Sequence, residues 1–305
     1  MSKLAQRLII FLVGVPAVAA LVLLLPHLNH LALNLTTVFF SALGAVEFSK
    51  MLAQKGLRIS KAEAAVLGAL LPAVAAIIAA FFTMPATTVG ADGVYFFVMI
   101  GLAVLAAITA GMGWLLLSRV FSSGEKLDGF AGKVAAGLSV LLYPGVFLVW
   151  IVGMTVWLDS GAMIITFLLM VFGGDSLAWA AGSLFGKNNR GIVPASPNKS
   201  AAGFVGGVFG PIIIGIAAAH IRPDIFAASQ NALFGIPAVA GGILGLLTGC
   251  AAILGDLAES ALKRSSGIKD SGAFFIGRGG VLDSIDSVAM AAPVFHICYI
   301  VLLLL

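Results

Sequence analysis

The sequence predicts an all-α, polytopic integral membrane protein with about nine transmembrane helices. Its side chains are 61% hydrophobic and only 10% charged, and the mean hydropathy is +1.13. These values lie far outside the range of soluble domains. Apolar stretches of about 20 residues, the length that crosses a bilayer as a helix, recur along the whole chain. The distribution of basic residues between these stretches is a third, independent indication of membrane topology.

Each apolar stretch is taken as one helix. The predicted helices cover residues 7–26, 31–50, 64–83, 94–118, 134–157, 161–185, 203–219, 236–258 and 285–305. The first stretch lacks the small-residue cleavage site of a signal peptide, and further spans follow it. It is therefore interpreted as the first membrane helix.

The basic residues predict the orientation. If the N-terminus is cytosolic, sixteen of the seventeen Lys and Arg side chains fall in loops on the cytosolic side, and Arg222 alone falls outside. Basic residues are concentrated in cytosolic loops of membrane proteins, so the sequence predicts an N-in, C-out topology. The net charge of +4 is thereby explained without a nucleic-acid partner.

The chain changes character near its middle. Spans in residues 1–160 are plain Leu, Val and Ala helices, and we interpret this half as a scaffold or oligomer surface. Residues 161–305 contain more glycines, acids and short polar motifs, which predicts that the C-terminal half carries the catalytic region. Gly241, Gly245 and Gly249 recur every four residues, as is typical of closely packed membrane helices.

Residues 256–286 hold nine of the thirty charged side chains in about a tenth of the length. Asp256 and Glu259 end one span, and Asp283 and Asp286 open the next, each pair with a spacing of three that puts both carboxylates on one helical face. The topology brings both pairs to the cytosolic surface, where they could bind Mg²⁺. A surface ion pair for the first pair and helix capping for the second are the alternative interpretations.

Cations and glycines lie between the acidic pairs. Lys263, Arg264, Lys269 and Arg278 offer positive charge, and Gly277, Gly279 and Gly280 let backbone N–H groups approach a phosphate. A basic loop alone could equally serve topology or bind anionic lipid headgroups. Combined with the four carboxylates, it suggests a polyphosphate bridged by a metal.

Two further elements precede this run. Asp175 lies about ten residues from the end of its span, and acids at that depth are functional by default, although a helix–helix hydrogen bond is the alternative. Ser196, Lys199 and Ser200 stand just before the seventh span, where hydroxyls and an ammonium suit an anion at a helix N-terminus. A simple helix cap explains these residues nearly as well.

These motifs occur in the order and spacing of one known family. The chain resembles phosphatidate cytidylyltransferase, also called CDP-diacylglycerol synthase, over roughly residues 170–290. The family signature is S-x-x-K-R-x4-K-D-x-G-x3-P-G-H-G-G-x-x-D-R-x-D, preceded by D-L-x-E-S. In register with it stand Asp256, Glu259, Ser260, Lys263, Arg264, Lys269, Asp270, Gly272, Gly277, Gly279, Gly280, Asp283 and Asp286. Asp175 with Phe185-Gly186-Lys187, and Ser196-Pro197-Asn198-Lys199-Ser200, resemble two upstream elements of the family.

The resemblance implies a reaction and a set of roles. CTP and phosphatidate would give CDP-diacylglycerol and pyrophosphate, with Mg²⁺ on Asp256 and Asp283 and a monovalent cation such as K⁺ as an optional second cation. The implied catalytic residues are Asp256, Asp283, Lys263, Arg264, Lys269 and Asp175. The implied substrate-binding residues are Ser196, Lys199, Ser200, Lys187, Arg278, Gly279, Gly280, Glu259, Asp270 and Asp286. A homodimer in a bacterial inner membrane, with its active site facing the cytosol, is also expected.

The chain departs from the family at four positions. Ile276, Arg278 and Ser284 replace the family's Pro, His and Arg, and Ala202 replaces a Glu. An Arg cannot shuttle protons at neutral pH as a His can. A CTP-dependent lipid or polyprenol kinase, or a catalytically weakened paralogue, is therefore the second hypothesis. An ion or solute transporter is the third, disfavoured because the first five spans contain so few polar residues.

Overall fold

The computed structural model of the chain describes residues 3–81, 91–118, 120, 129–157, 159–226, 236–275 and 279–304. The helices within these residues are α1 Lys3–Leu24, α2 His27–Ala53, α3 Lys61–Phe81, α4 Ala91–Leu117, α5 Phe130–Val140, α6 Phe147–Met154, α7 Ser160–Phe185, α8 Ala201–Ile221, α9 Pro237–Ser265 and α10 Leu282–Leu304. Beyond helices, the described part contains two isolated backbone bridges, Arg190 with Ser200 and Phe275 with Gly279. The predicted all-α architecture is confirmed.

Every predicted span coincides with helical structure. Eight helical segments in the described part are long and apolar enough to cross a membrane, and α5 and α6 together form one of them. The apolar part of α1 that can be described, Val13–Leu24, is shorter. The multi-pass architecture is therefore confirmed, while a ninth crossing and the N-in, C-out orientation stay predictions.

Two compact units divide the chain, and each is described by itself. Unit 1 comprises Met1–Leu158 and Ser265–Ser284, and unit 2 comprises Asp159–Arg264 and Ile285–Leu305. The segment 265–284, which the sequence analysis placed in the C-terminal half, is thus grouped with the N-terminal helices.

In unit 1, α3 begins with a capping box. The backbone N–H of Glu63 donates to Ser60 Oγ at 3.1 Å, and the N–H of Ser60 donates to Glu63 Oε2 at 3.3 Å. These reciprocal bonds satisfy two N–H groups that the first turn of a helix leaves without partners. Glu63 also forms an ion pair with Lys133 of α5, with 2.6 Å between Oε1 and Nζ. Ser41 of α2 donates to the carbonyl oxygen of Gly68 in α3 at 2.6 Å, which joins the two helices deep in the unit.

The fifth predicted span is not a uniform helix. A π-helical turn at Leu141–Val146 separates α5 from α6, and Tyr143 within it has an extended backbone. Pro144 has no N–H to donate to the helical ladder, and this loss commonly produces such a break. Leu141, Pro144 and Gly145 of the turn are buried, and Tyr143 packs edge-to-face on Phe48 of α2 with the ring centroids 5.6 Å apart.

In unit 2, α7 and α10 pack through Phe167 and Phe295, whose ring centroids lie 5.1 Å apart. Helix α9 continues to Ser265, seven residues past the predicted end of its span. The prediction followed hydropathy, which falls at the charged residues, whereas the helix carries Lys263 and Arg264 in a last turn where the helix dipole favours cations.

An exposed ion-pair group follows α8 in unit 2. Arg222 donates from Nη2 to Asp159 at 2.9 Å and from Nε to Asp224 Oδ1 at 2.9 Å. Hydrogen bonds from the Arg222 guanidinium hold the pKa of Asp224 below its usual value. All three side chains are more than 40% exposed, so water and salt screen their attraction.

Candidate active site

A glycine register aligns α8 and α9 within unit 2. Gly241, Gly245 and Gly249 of α9 meet Gly215, Pro211 and Gly207 of α8 in turn. A Cβ added at Gly215 would collide with the carbonyl oxygen of Gly241, and one at Gly245 would collide with the carbonyl oxygen of Pro211. The predicted role of these glycines in close packing is thereby confirmed. The helices are antiparallel, so two further turns along α9 lead to Asp256, opposite the N-terminal end of α8.

The structure brings Lys199 and Asp256 together at this end of the register. The Lys199 ammonium forms an ion pair with Asp256 Oδ2, and the two side chains are 25% and 34% exposed. Ser260, one turn along α9, lies 3.5 Å from Asp256 Oδ1. The Lys199 ammonium also lies 5.9 Å from the ring centroid of Phe204. Lys199 was predicted to bind an anionic substrate and Asp256 to bind a metal. In the structure the opposite charges of these two side chains compensate each other.

The residue after Lys199 caps α8. Ser200 is buried, and its Oγ accepts a hydrogen bond from the backbone N–H of Gly203 at 3.1 Å. A Cβ added at Gly182 would lie 3.1 Å from the same hydroxyl oxygen, so α7 contacts the cap closely. The helix-cap interpretation of Ser200 is confirmed, and its role in substrate binding stays a prediction.

The acids of unit 2 form a cluster around Asp286. Asp286 is buried near the start of α10, and its Oδ1 accepts from the N–H of Ser287 at 2.6 Å. Asp256, Glu259 and Asp175 all interact electrostatically with Asp286. At Gly255 the backbones of α9 and α10 approach so closely that an added Cβ would lie 2.5 Å from the carbonyl oxygen of Asp286. The structure thus brings Asp256, Glu259 and Asp286 together, while the meeting of the two complete acidic pairs at the cytosolic surface stays a prediction.

Glu259 and Lys263 form an ion pair one turn apart on α9. The Glu259 side chain is 0% exposed, so this pair is buried, in contrast to the surface ion pair that the sequence left open as an alternative. A buried charge is tolerated where a partner compensates for the water it has lost. Lys263 therefore offsets one of the negative charges in the cluster.

Unit 1 contains the second group of predicted site residues. Asp283 Oδ2 accepts three hydrogen bonds: from the N–H of Ser271 at 2.8 Å, from Ser271 Oγ at 2.9 Å and from the N–H of Gly280 at 2.7 Å. Gly279 has φ +110°, a backbone conformation that side chains disfavour, and a Cβ there would collide with Asp283. The glycines beside Asp283 therefore fold the loop onto its carboxylate.

Glu47 of α2 is a site residue that the sequence analysis missed. It is only 7% exposed, and its carboxylate accepts from Ser271 Oγ at 2.9 Å, Val281 N at 3.1 Å and Leu282 N at 2.9 Å. The available signal was an acid inside an apolar span, which is functional by default. Its position three residues before the predicted cytosolic end of the span concealed it among the polar residues expected there.

The remaining predicted residues lie outside these contacts. Lys187, Arg264, Lys269 and Asp270 are exposed, and Ser196 is half-buried. Ile276, Gly277 and Arg278 lie outside the described residues. Among the residues that the structure describes, no three His, Cys, Asp or Glu side chains are placed to hold one metal ion. The assignment of a metal to the two carboxylates of Asp256 and Asp283 stays a prediction.

Apolar spanning helices that carry clustered acids and lysines define an integral membrane protein with a charged site. Comparison with known sequences identifies its family. A family model described as "Cytidylyltransferase family" matches residues 5–302. The chain belongs to the cytidylyltransferase family, as its sequence motifs predicted.

Individual relatives agree with this family. The chain is 39% identical to a phosphatidate cytidylyltransferase of Haemophilus influenzae over 133 residues, which are 43% of each chain. It is 32% identical to the Pseudomonas aeruginosa protein of the same name over 201 residues, 64% of this chain and 68% of the relative. It is also 32% identical to the uncharacterized Escherichia coli protein YnbB over 196 residues, 59% of this chain and 61% of YnbB. The chain thus spans about half the length of the curated relatives it matches.

Proposed function

We propose that the protein transfers CMP from CTP to phosphatidate, which yields CDP-diacylglycerol and pyrophosphate. The observation that carries this proposal is the Lys199–Asp256 ion pair, because it joins an anion-binding side chain to a cation-binding one within the family motifs. The names of the Haemophilus and Pseudomonas relatives support the same substrates. The reaction forms a bond between a phosphate oxygen of the lipid and the α-phosphorus of CTP, and it breaks the bond to the β-phosphate.

The residues around the pair suit this chemistry. When CTP arrives, the Lys199 ammonium can leave Asp256 and neutralise a phosphate oxygen, which favours charge building up on the leaving pyrophosphate. Lys263 keeps Glu259 neutralised, which limits the repulsion between the acid cluster and the triphosphate. Asp283 is oriented by three donors on one oxygen before any ligand is present.

The carboxylates fit a divalent cation. Asp256 already binds a cationic group, the Lys199 ammonium, and the held carboxylate of Asp283 is a hard oxygen ligand of the kind that Mg²⁺ prefers. The family motif supports Asp256 and Asp283 as the ligands, with K⁺ as a possible second cation in the family. When bound, Mg²⁺ supplies Lewis-acid stabilisation of the phosphate oxygens.

The cellular setting follows from the charge distribution. We infer a bacterial inner membrane with the site facing the cytosol, because sixteen of the seventeen basic residues then lie on the cytosolic side. CTP is a cytosolic nucleotide and phosphatidate is a membrane lipid, so both substrates can reach such a site. A homodimer is proposed from the family resemblance alone.

A second candidate keeps the fold and changes the reaction. Ser284 stands where the family has an Arg, and its hydroxyl donates to the carbonyl oxygen of Gly280 at 3.1 Å. The positively charged guanidinium of the family is therefore replaced at this position by an uncharged hydroxyl, which forms a hydrogen bond to the nearby backbone of Gly280. This observation favours a CTP-dependent lipid or polyprenol kinase, or a weakened paralogue, as the alternative.

The position of a radioactive label separates these candidates. Purified protein in detergent would receive Mg²⁺, phosphatidate or polyprenol, and CTP labelled at either the α- or the γ-phosphorus. We expect label in lipid from α-labelled CTP with phosphatidate only. Label in lipid from γ-labelled CTP would instead show a kinase. No labelled lipid from either nucleotide would exclude both enzymes.

A further inference from the structure

Glu47 connects α2 to the loop before α10. Its three hydrogen-bond donors, Ser271, Val281 and Leu282, all lie within the family signature and more than 220 residues further along the chain. A carboxylate inside a membrane helix costs several kcal/mol unless it finds such partners. Both of its oxygens are used, since Oε1 accepts from Val281 and Oε2 from Ser271 and Leu282.

Two of these donors are backbone groups at the start of a helix. Leu282 is the first residue of α10, and Val281 precedes it. The first N–H groups of a helix have no partner within the helix, and the helix dipole makes that end positive. A carboxylate is therefore well matched to this position. Glu47 acts as an N-terminal cap for α10, although it comes from α2.

The glycines of the signature make room for this carboxylate. A Cβ added at Gly272 or Gly280 would collide with an oxygen of Glu47. The loop also packs on α2 through aromatic rings, because Phe274 lies 6.5 Å from Phe39 and Phe275 lies 6.1 Å from Phe40, centroid to centroid. The loop is thus fixed along α2 at two places, about 10 Å apart at 1.5 Å per helical residue.

The network reaches the proposed metal ligand through one hydroxyl. Ser271 Oγ lies 2.9 Å from Glu47 Oε2 and 2.9 Å from Asp283 Oδ2, so the two carboxylates share its single hydroxyl proton. Ser271 also bonds Asp283 through its backbone N–H. The place of Glu47 therefore sets the place of Ser271, and Ser271 sets the orientation of the Asp283 carboxylate.

We propose that Glu47 is a positioning residue for cation binding: it fixes Ser271 and the start of α10 and, through Ser271, aims the Asp283 carboxylate. The inference rests on the proposed function, because it takes Asp283 as a cation ligand. Residues that orient a metal ligand typically change metal affinity or activity by roughly 10- to 100-fold when they are removed.

The test compares Glu47→Gln with Glu63→Gln in the full-length protein in detergent. Glu63 is the matched control, because it is another hydrogen-bonded acid of unit 1 but pairs with Lys133, away from the loop. The first measurement is amide hydrogen exchange over residues 268–283, and the second is the Mg²⁺ concentration that gives half-maximal activity. We expect Glu47→Gln to raise the amide exchange rate and the half-maximal Mg²⁺ concentration by roughly tenfold each, while the KM for CTP changes much less. Glu63→Gln should change neither the exchange rate nor the Mg²⁺ concentration.

Each outcome has a distinct meaning. Unchanged exchange in Glu47→Gln would overturn the proposal, and so would faster exchange with an unchanged Mg²⁺ requirement, since the residue would then be only a helix cap. If the wild-type protein makes no CDP-lipid, the proposed function fails, while the exchange measurement still decides whether Glu47 fixes the loop. If Glu47→Gln does not fold, Ser271→Ala takes its place and must raise the Mg²⁺ requirement for the proposal to stand.

Discussion

Asp283 in unit 1 and Asp256 in unit 2 are both predicted metal ligands, but the chain holds them in different ways. Asp283 accepts three hydrogen bonds from a serine and a glycine, none of which carries a charge. Asp256 is paired with the ammonium of Lys199. Neutral donors orient the carboxylate of Asp283, whereas the ammonium of Lys199 also compensates the charge of Asp256.

This difference predicts separate tasks for the two proposed metal ligands. Asp283 is oriented by hydrogen bonds from its own folded loop. If Asp256 binds a cation as proposed, it exchanges Lys199 for that cation, and the exchange frees the ammonium for an anionic substrate. One carboxylate is thus fixed and the other is exchangeable.

The largest expected effect is the loss of either carboxylate. Asp283→Asn and Asp256→Asn should each lower the rate of CDP-lipid formation by roughly 100-fold or more, because each removes negative charge from the proposed cation ligands. The measurement is the initial rate with α-labelled CTP. Asp224→Asn, at an exposed acid in unit 2, is the control and should keep the wild-type rate. A near-normal rate in either of the first two variants would contradict the metal assignment.

Replacing Lys199 tests whether Asp256 is exchangeable. Lys199→Ala removes the ammonium that competes for Asp256, so the Mg²⁺ concentration for half-maximal activity should fall by several-fold. The KM for CTP should rise by roughly tenfold, because a charge-assisted contact to phosphate is lost. A titration with Mg²⁺ at fixed CTP measures the first effect. A higher Mg²⁺ requirement would show that Lys199 helps to build the cation site.

A substitution in the glycine register tests whether close packing of α8 and α9 holds Lys199 and Asp256 opposite each other. Gly215→Ala should destabilise unit 2 by roughly 1–3 kcal/mol, because its Cβ would collide with the backbone of α9. The matched control is Gly101→Ala in α4, where nothing lies within 4 Å of the added Cβ. That substitution should be neutral or stabilising by up to about 1 kcal/mol, since Ala favours helices over Gly. Thermal unfolding in detergent measures both, and equal effects would contradict the close packing.

The smallest expected effect concerns the exposed pair of Arg222 and Asp224, which serves as a reference for the half-buried Lys199–Asp256 pair. Because Arg222 lowers the pKa of folded Asp224, it contributes stability above the ordinary pKa of an Asp, and this contribution is lost as the pH falls through the lowered pKa. Arg222→Gln should therefore lower the Tm slightly at pH 6, and this difference should shrink as the pH falls below the ordinary pKa of an Asp. A Tm difference that grew on acidification would have the wrong sign.

Sequence reasoning reached the helices and most of the polar residues of the site. Hydropathy located every span, because burial in lipid imposes a simple compositional rule. Helical periodicity placed Asp256 and Glu259 on one face, and the four-residue spacing of glycines indicated a close helix contact. The pairing of Lys199 with Asp256 was beyond reach, since it depends on the register between α8 and α9, which no local pattern encodes.

Glu47 shows the same limit more strongly. The half of the chain interpreted as scaffold supplies a carboxylate to the signature loop of the other half. No periodicity or motif in the sequence predicts a contact between Glu47 and Leu282. Gly280 was explained by the approach of a phosphate, whereas in the structure the carboxylate of Glu47 occupies the space beside Gly280 and Gly272.

The reach of this contact has a consequence for biosynthesis. Glu47 is made with the second helix, and its donors are made 224 to 235 residues later. At about 5–20 residues per second, the ribosome needs roughly 10 to 45 seconds to supply them. During that time the Glu47 carboxyl group lies in an apolar helix before its final hydrogen-bond donors have been synthesised. A chain cut short before residue 271 never acquires them, so the loop made near the end of translation completes a helix made near its start.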